Sequence, residues 1–467
     1  MSRWNLAWLL GIPVVALLGL TLSYSAPSRD KDRDYELVRL LVDVLDEVDH
    51  NYVRELSPEA KRQFVEDMIN GGLERLDPHS GFINPQEYKQ FDKQSRGKFG
   101  GVGIQITLDR QTGQLTVISP MVGTPAYEAG ILAGDLIVKI DGKSTENMKL
   151  SEAVNLIQGE PGTKITLSVI HEGAKEPVDL EMKRAEIEVP SVLGDARKPN
   201  KPNEWDWIID KQHGIAYIRL VAFNKKTADE MKEVITQLEH EGMRGLIIDL
   251  RNNPGGLLHT AVLVSDLFLT EGKIVSTRGR NRQEQAFEAH ARGTLLMPAH
   301  KFPIVVLVNK FSASASEIVA AALQDHGRAV VIGERTYGKG SVQNIIEMEN
   351  RASALKLTTA SYWRPNGKNI HRFPDSTDDD EWGVKPNPGF EVEMKDDERL
   401  EYMIYRRDRD IVQGKSGAKP PAPPKTTNSD GDNKEKKPFE DRVLQKALEH
   451  LRGEVRRVAR VPDIGNG

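Results

Sequence analysis

The sequence predicts a multidomain α/β protein, and three observations carry that prediction. Two helix-period segments stand near the N-terminus. About ninety residues from Phe99 then alternate in the manner of strands, with only two short helical runs. From about Gly214, apolar strands and amphipathic helices follow one another, the pattern of a sheet with helices on its faces. A chain of 467 residues is also too long for one ordinary core, and length suggests roughly two to four folded units.

The elements follow in order. An apolar run from Leu6 to Leu22 comes after Arg3, and Ser23-Tyr24-Ser25 offers small residues for cleavage. Residues 1–26 therefore read as a secretory signal or a single membrane anchor, and both readings place the rest of the chain across a membrane. Residues 30–95 form an N-terminal helical region. Leu37, Leu41, Val44 and Val48 share one helix face, and a second helix opens at Ser57-Pro58 with a capping serine and a first-turn proline. Gly71-Gly72 is expected to end it, and Leu76 to Ser80 reads as a turn.

Residues 96–186 read as a small half-open barrel. Val102, Ile104 and Ile106 alternate, as do Leu115 and Val117. A short helix from Pro125 to Ala129 ends at Gly130, Leu136 to Ile140 is a strand, and Ser151 is expected to cap a further helix. Residues 187–400 carry the alternating core. Strands are expected at Ile215–Leu220, Leu246–Leu250, Ile304–Val308, Val330–Ile332 and Leu355–Tyr362. Helices are expected at Thr227–His240, Leu257–Phe268 and Ser316–Leu323. Residues 413–437 are a Pro- and Lys-rich linker without aliphatic residues, too polar to order itself. Leu444, Leu448 and Leu451 mark a last charged helix within 438–460.

Charged residues are 28% of the chain and the net charge is −5. No long basic stripe accompanies that charge, which excludes nucleic acid as a partner. The absence of cysteine removes disulfides, a cysteine nucleophile and thiolate metal sites. The 11 histidines show no metal-ligand spacing, so no metal or other cofactor is expected.

Three segments can carry chemistry. Phe311-Ser-Ala-Ser-Ala-Ser-Glu-Ile318 follows a buried strand and opens a helix, a corner that can project a nucleophilic serine into solvent near helix N-terminal amides. Its three serines are equivalent on this argument, and each can also serve as a helix cap. Gly333-Glu-Arg-Thr-Tyr-Gly-Lys339-Gly-Ser-Val-Gln343 mimics a phosphate loop. That reading fails because Gly340 stands where Ser or Thr must bind the metal, and because a strand follows. A buried lysine loses its proton more easily and can act as base for a serine. Asp249-Leu-Arg-Asn-Asn-Pro-Gly-Gly256 leaves a strand toward a helix, and glycine amides there can donate to an oxyanion. No Gly-x-Ser-x-Gly elbow occurs, and no pair of acids suggests a glycosidase.

Together these segments resemble the carboxyl-terminal processing (tail-specific) serine peptidases, over roughly Tyr35 to Glu393. The resemblance implies Ser314 as nucleophile, Lys339 as general base 25 positions later, and Gln343 four positions beyond as its orienting partner. It implies oxyanion amides at Gly256 and Ala315 and a core sheet of the ClpP/crotonase-like type. Ala129 to Gly142 resembles a PDZ signature, and Phe99-Gly-Gly-Val-Gly-Ile104 its carboxylate-binding loop. Gly101, Val102, Gly103 and Ile104 are thus expected to receive a protein or peptide C-terminus added as a strand. Family analogy also implies self-association into a homo-oligomer. The expected function is an extracytoplasmic (periplasmic) serine endopeptidase, secreted or held at the inner membrane. The alternative is a catalytically silent PDZ scaffold on a peptidase fold.

Overall fold

The computed structural model describes residues 29–109, 112–198, 201–280, 282–297, 299, 302–412, 414 and 439–460. The signal-or-anchor segment 1–26 and all but Gly414 of the linker 413–437 lie outside the described residues. No helix among the described residues is long and apolar enough to cross a membrane. The chain divides into two units, residues 1–76 and 77–467.

The first unit contributes the helices Arg29–Asn51 and Pro58–Glu74. Ser57 caps the second, its hydroxyl accepting from the Ala60 amide at 3.2 Å. The expected stop at Gly71-Gly72 is wrong, because the helix runs through both glycines to Glu74. Neither glycine has a positive φ, and open space surrounds both. Glycine weakens a helix interior but ends the helix only where a left-handed residue is required.

In the second unit, the small domain is an antiparallel sheet ordered Ile104–Leu108, Leu115–Pro120, Leu136–Ile140, Lys164–Ile170, Val178–Lys183, with Lys143–Ser144 paired to Leu136–Ile140. Its alternate residues, among them Leu115, Val117, Ile137, Ile165 and Leu167, close one apolar core with Val102, Ala126 and Ile157. The helix there spans Leu150–Ile157 with Lys149 at the N-cap. Ser151 therefore lies inside the first turn and is not its cap.

The core sheet runs Val192–Leu193, Ile215–Leu220, Gly245–Asp249, Ile304–Val308, Ala329–Gly333, and the last four strands are parallel. Their apolar runs are continuous because both faces are covered. Ala216, Ile218, Leu246, Ile248, Val306 and Val308 face one apolar cluster, which takes in helices Thr227–His240, Leu258–Asp266 and Ala315–Asp325. Ile215, Tyr217, Ile247, Val305 and Leu307 face the other, built with Tyr402, Val443, Leu444 and Leu451. The two-residue period of a strand makes that division. Helices Asp396–Asp410 and Arg442–Arg460 thus contribute to the second face.

A further sheet, ordered Gly81–Ile83, Ser353–Trp363, Lys273–Gly279, Arg282–Glu288, carries Ser341–Met348 along Ser353–Trp363. Strand pairing there brings Gly81 beside Lys356.

Candidate active site

Ser314 lies at the corner where strand Ile304–Val308 passes into helix Ala315–Asp325. Its backbone is unusual for a non-glycine residue, with φ 56° and ψ −111°. Such a conformation costs about 1–3 kcal/mol and persists only when its surroundings over-determine it. Here the Ser314 amide donates to Glu317 Oε2 at 2.8 Å, and the preceding Ala313 amide donates to the Asn253 carbonyl at 3.0 Å.

The three serines are not equivalent in the fold. Ser312 Oγ donates to the Leu250 carbonyl at 2.8 Å and Ser316 Oγ to the Asn253 carbonyl at 3.0 Å. Both are fully buried, whereas Ser314 retains 8% exposure and lines a cavity of about 940 Å³. The corner does not project Ser314 freely into solvent, as the sequence suggested; it sets the residue in the cavity wall.

Lys339 lines the same cavity from the loop between strands Ala329–Gly333 and Ser341–Met348. Burial holds its amine below the usual lysine range. The nearby Lys356 pushes it further down, while Glu317 and Asp77 oppose. The Lys339 amide donates to Glu317 Oε2 at 2.8 Å. One carboxylate oxygen thus accepts from the backbone of both Ser314 and Lys339, and their amide nitrogens are no more than twice 2.8 Å apart.

Gln343 also lines the cavity, but its amide donates to Ser341 Oγ at 2.9 Å and Thr358 Oγ1 at 3.1 Å. Among the described residues it makes no hydrogen bond to Lys339. Thr358 Oγ1 passes the connection on to Asp77 Oδ1 at 3.0 Å. Burial opposes ionisation of Asp77, yet hydrogen bonds from Ser80, His79 and Thr358 hold its carboxyl below the usual range.

The turn Asp249–Gly256 passes beside Ser314. A Cβ added to Gly255 would come within 2.9 Å of both Ser314 Cβ and the Ala315 nitrogen. Gly255 (φ 99°) and Gly256 (φ 150°) occupy backbone regions that side chains disfavour. Among the described residues no acceptor takes the Gly256 or Ala315 amide, so both are free to meet an incoming oxygen. The Gly255 amide is already held by Asn253 Oδ1 at 2.8 Å.

Gly101, Val102, Gly103 and Ile104 lie where strand Lys98–Gly101 hands over to Ile104–Leu108. The first three are buried. Gly103 has φ 79°, and a side chain there would collide with Thr124. The cavity reaches from Ser314 toward this domain, touching Phe99, Val154 and Gln158.

Four residues at the site were not singled out from sequence. Glu317 stands inside the serine motif and could have been found as its helix-capping acid. Asn253 stands inside the glycine-turn motif. Tyr362 lines the cavity; burial pushes its phenol up to about 12, against the opposing effect of its hydrogen bond with the Ser314 side chain. Lys356 is brought in by strand pairing alone, and nothing local in the sequence marks it.

Residues 214–387 match peptidase family S41, and residues 116–170 match a PDZ domain. The chain is 35% identical over 452 residues to a carboxy-terminal-processing protease of Bartonella bacilliformis, spanning 95% of each chain. It is 34% identical over 343 residues to the carboxy-terminal processing protease CtpA of Bacillus subtilis, covering 73% of this chain and 66% of that one. Among solved structures, a photosystem II D1 C-terminal processing protease aligns at 28% identity over 76% of this chain and 92% of that one, with a TM-score of 0.41. Fold and relatives together define a serine peptidase that carries a PDZ domain. The chain belongs to the carboxy-terminal-processing protease family.

Proposed function

We propose that the protein is a serine endopeptidase in which Ser314 is the nucleophile and Lys339 the general base. The observation that carries this reading is the shared Glu317 oxygen. It joins the one serine of the motif whose hydroxyl is not engaged by a backbone carbonyl to a lysine whose ammonium is disfavoured.

Neutral Lys339 Nζ takes the Ser314 Oγ proton as the oxygen attacks the scissile carbonyl carbon. The developing oxyanion receives the Gly256 and Ala315 amides, a kind of donor worth about 3–4 kcal/mol each at such sites. The C–N bond breaks, the Lys339 ammonium protonates the leaving amine, and Ser314 keeps the acyl group as an ester. Water, deprotonated by Lys339, then hydrolyses that ester and restores both residues. Gln343 contributes through the Thr358–Asp77 chain beside Lys339.

The PDZ loop Gly101–Ile104 captures the free C-terminus of an unstructured protein, and the cavity leads the chain on to Ser314. The core sheet is of the ClpP/crotonase-like type, the substrates are extracytoplasmic, and the chain is secreted or anchored through residues 1–26. Self-association into a homo-oligomer is part of the same reading.

Ser314→Ala and Lys339→Ala should each abolish cleavage of an unstructured tail while circular dichroism shows an intact fold. Near-normal activity in Lys339→Ala would overturn the dyad. Amidation of the substrate C-terminus should weaken binding, and equal affinity for acid and amide would remove the carboxylate-capture step.

A further inference from the structure

We propose that Glu317 is a positioning residue that fixes nucleophile and base at their working separation, an inference resting on the Ser314–Lys339 reading above. Its carboxylate is fully buried and has no ion pair among the described residues. A buried carboxylate of this kind is costly unless hydrogen bonds compensate it. Four donors do so. Oε2 accepts from the Ser314 and Lys339 amides at 2.8 Å each, and Oε1 accepts from the Gly338 amide at 2.6 Å and Thr336 Oγ1 at 2.5 Å.

A helix cap accounts for only the first of these. Glu317 at the third helical position reaching back to Ser314 is an ordinary capping arrangement. The other three donors lie on the segment 336–339, beyond the next strand. Backbone pairing already sets the two segments side by side, the Tyr337 amide donating to the Ser312 carbonyl at 3.0 Å; the carboxylate adds a tie at Ser314 and Lys339 themselves. It touches no substrate and acts through the backbone that places Ser314 Oγ and Lys339 Nζ. A misplacement of about 1 Å between reacting groups can cost on the order of 100-fold in rate, so a tie at this point matters.

The experiment compares Glu317→Gln with wild type for kcat, KM and the pH dependence of kcat/KM. Glutamine keeps the shape but presents its NH2 to two of the four donors. We expect kcat to fall about 100-fold, with KM within about threefold of wild type because no substrate contact is removed. The acid limb should also move to lower pH, because Glu317 is a negative charge favouring the Lys339 ammonium. The other charged or titratable groups facing Lys339 are Lys356, Asp77 and His79, and they are unchanged. Should Glu317→Gln fail to fold, Thr336→Val removes one of the four donors to Glu317, together with the acceptor of the Val384 amide, and should lower kcat about tenfold, while Thr336→Ser keeps both bonds and restores it.

A kcat within twofold of wild type in the folded Glu317 variant, or in Thr336→Val where that variant does not fold, overturns the proposal. A kcat loss with an unmoved acid limb, or one matched by a proportionate rise in KM, makes the role merely structural and also overturns it. Ser314→Ala and Lys339→Ala measured alongside separate the two claims. An active Lys339→Ala sinks the dyad, whereas two silent dyad variants beside a fully active Glu317→Gln sink only the tie.

Discussion

Ser314, Lys339 and Lys356 line one cavity, and the charges within it set the pH behaviour expected of the enzyme. Burial first, and the Lys356 charge second, lower the Lys339 amine. Lys356→Met removes the like charge, so the ammonium at 339 becomes easier to keep and the acid limb of kcat/KM should move to higher pH. At neutral pH the rate should fall roughly threefold to tenfold, as expected for a base made harder to deprotonate. An unmoved limb would show that the two lysines do not sense each other. Glu317 makes the opposite kind of statement about stability. Burial raises its carboxyl from the usual 4.5 to about 7, and a raised folded-state value stabilises the protein only while the group is protonated. That contribution is complete below about pH 4.5 and lost as pH rises through 7. Urea unfolding of wild type against Glu317→Gln should therefore show a stability difference that shifts by roughly 3 kcal/mol between these limits, in favour of wild type at the acid end. At this scale the sequence was only partly legible. Ser312, Ser314 and Ser316 look alike in a linear motif, and what separates them is whether a carbonyl from a distant turn engages the hydroxyl. Lys356 was invisible for the same reason, because its neighbours are chosen by strand pairing.

The elements were more legible, since burial on two faces writes continuous apolar runs and amphipathic helices write a period of 3.6. The errors fell at helix ends. Helix Pro85–Arg96 was not read, although Asn84-Pro-Gln-Glu is a capping signature. Asn84 Oδ1 accepts from the Gln86 and Glu87 amides at 3.0 and 2.9 Å, and Glu87 accepts from the Asn84 amide at 3.3 Å. The last helix, Arg442–Arg460, could be read as a helix but not placed. Its partner is Asp441, just before it, which accepts from Arg251 Nη1 and Nη2 at 2.9 and 2.8 Å. Arg251, 3% exposed, is also held by Asp249 and begins the turn that carries Gly256. Removing one partner of a buried charge is expensive, whereas exposed pairs are worth little. Asp441→Asn should therefore cost about 3 kcal/mol in urea unfolding. Glu398→Gln, which breaks the far more exposed pair with Arg442, should cost under about 1 kcal/mol. Similar losses from both changes would mean that the helix is held by its apolar face alone.

At the scale of the whole molecule, the small domain and the core share one cavity. Ser314 and Lys339 contribute from the core, Phe99 and Val154 from the small domain. Among the described residues no Asp or Glu lines it, while lysines 93, 98, 339 and 356 do. Lys93 and Lys356 add positive charge to apolar walls, and such a lining suits an extended peptide of the kind proposed above as substrate. Sequence could name the two domains but not this shared volume, because no local pattern records which face of one domain meets which face of the next. If the cavity is the route to the nucleophile, narrowing it far from Ser314 should affect long substrates and spare small ones. Val154→Trp should lower kcat/KM for an unstructured protein tail about tenfold, as expected when substrate positioning is disturbed. Labelling of Ser314 by a small fluorophosphonate should stay at the wild-type rate, because the proposed dyad and oxyanion amides are untouched. Equal loss in both measurements would place the effect on the site itself, and unchanged cleavage would mean that the substrate reaches Ser314 by another path.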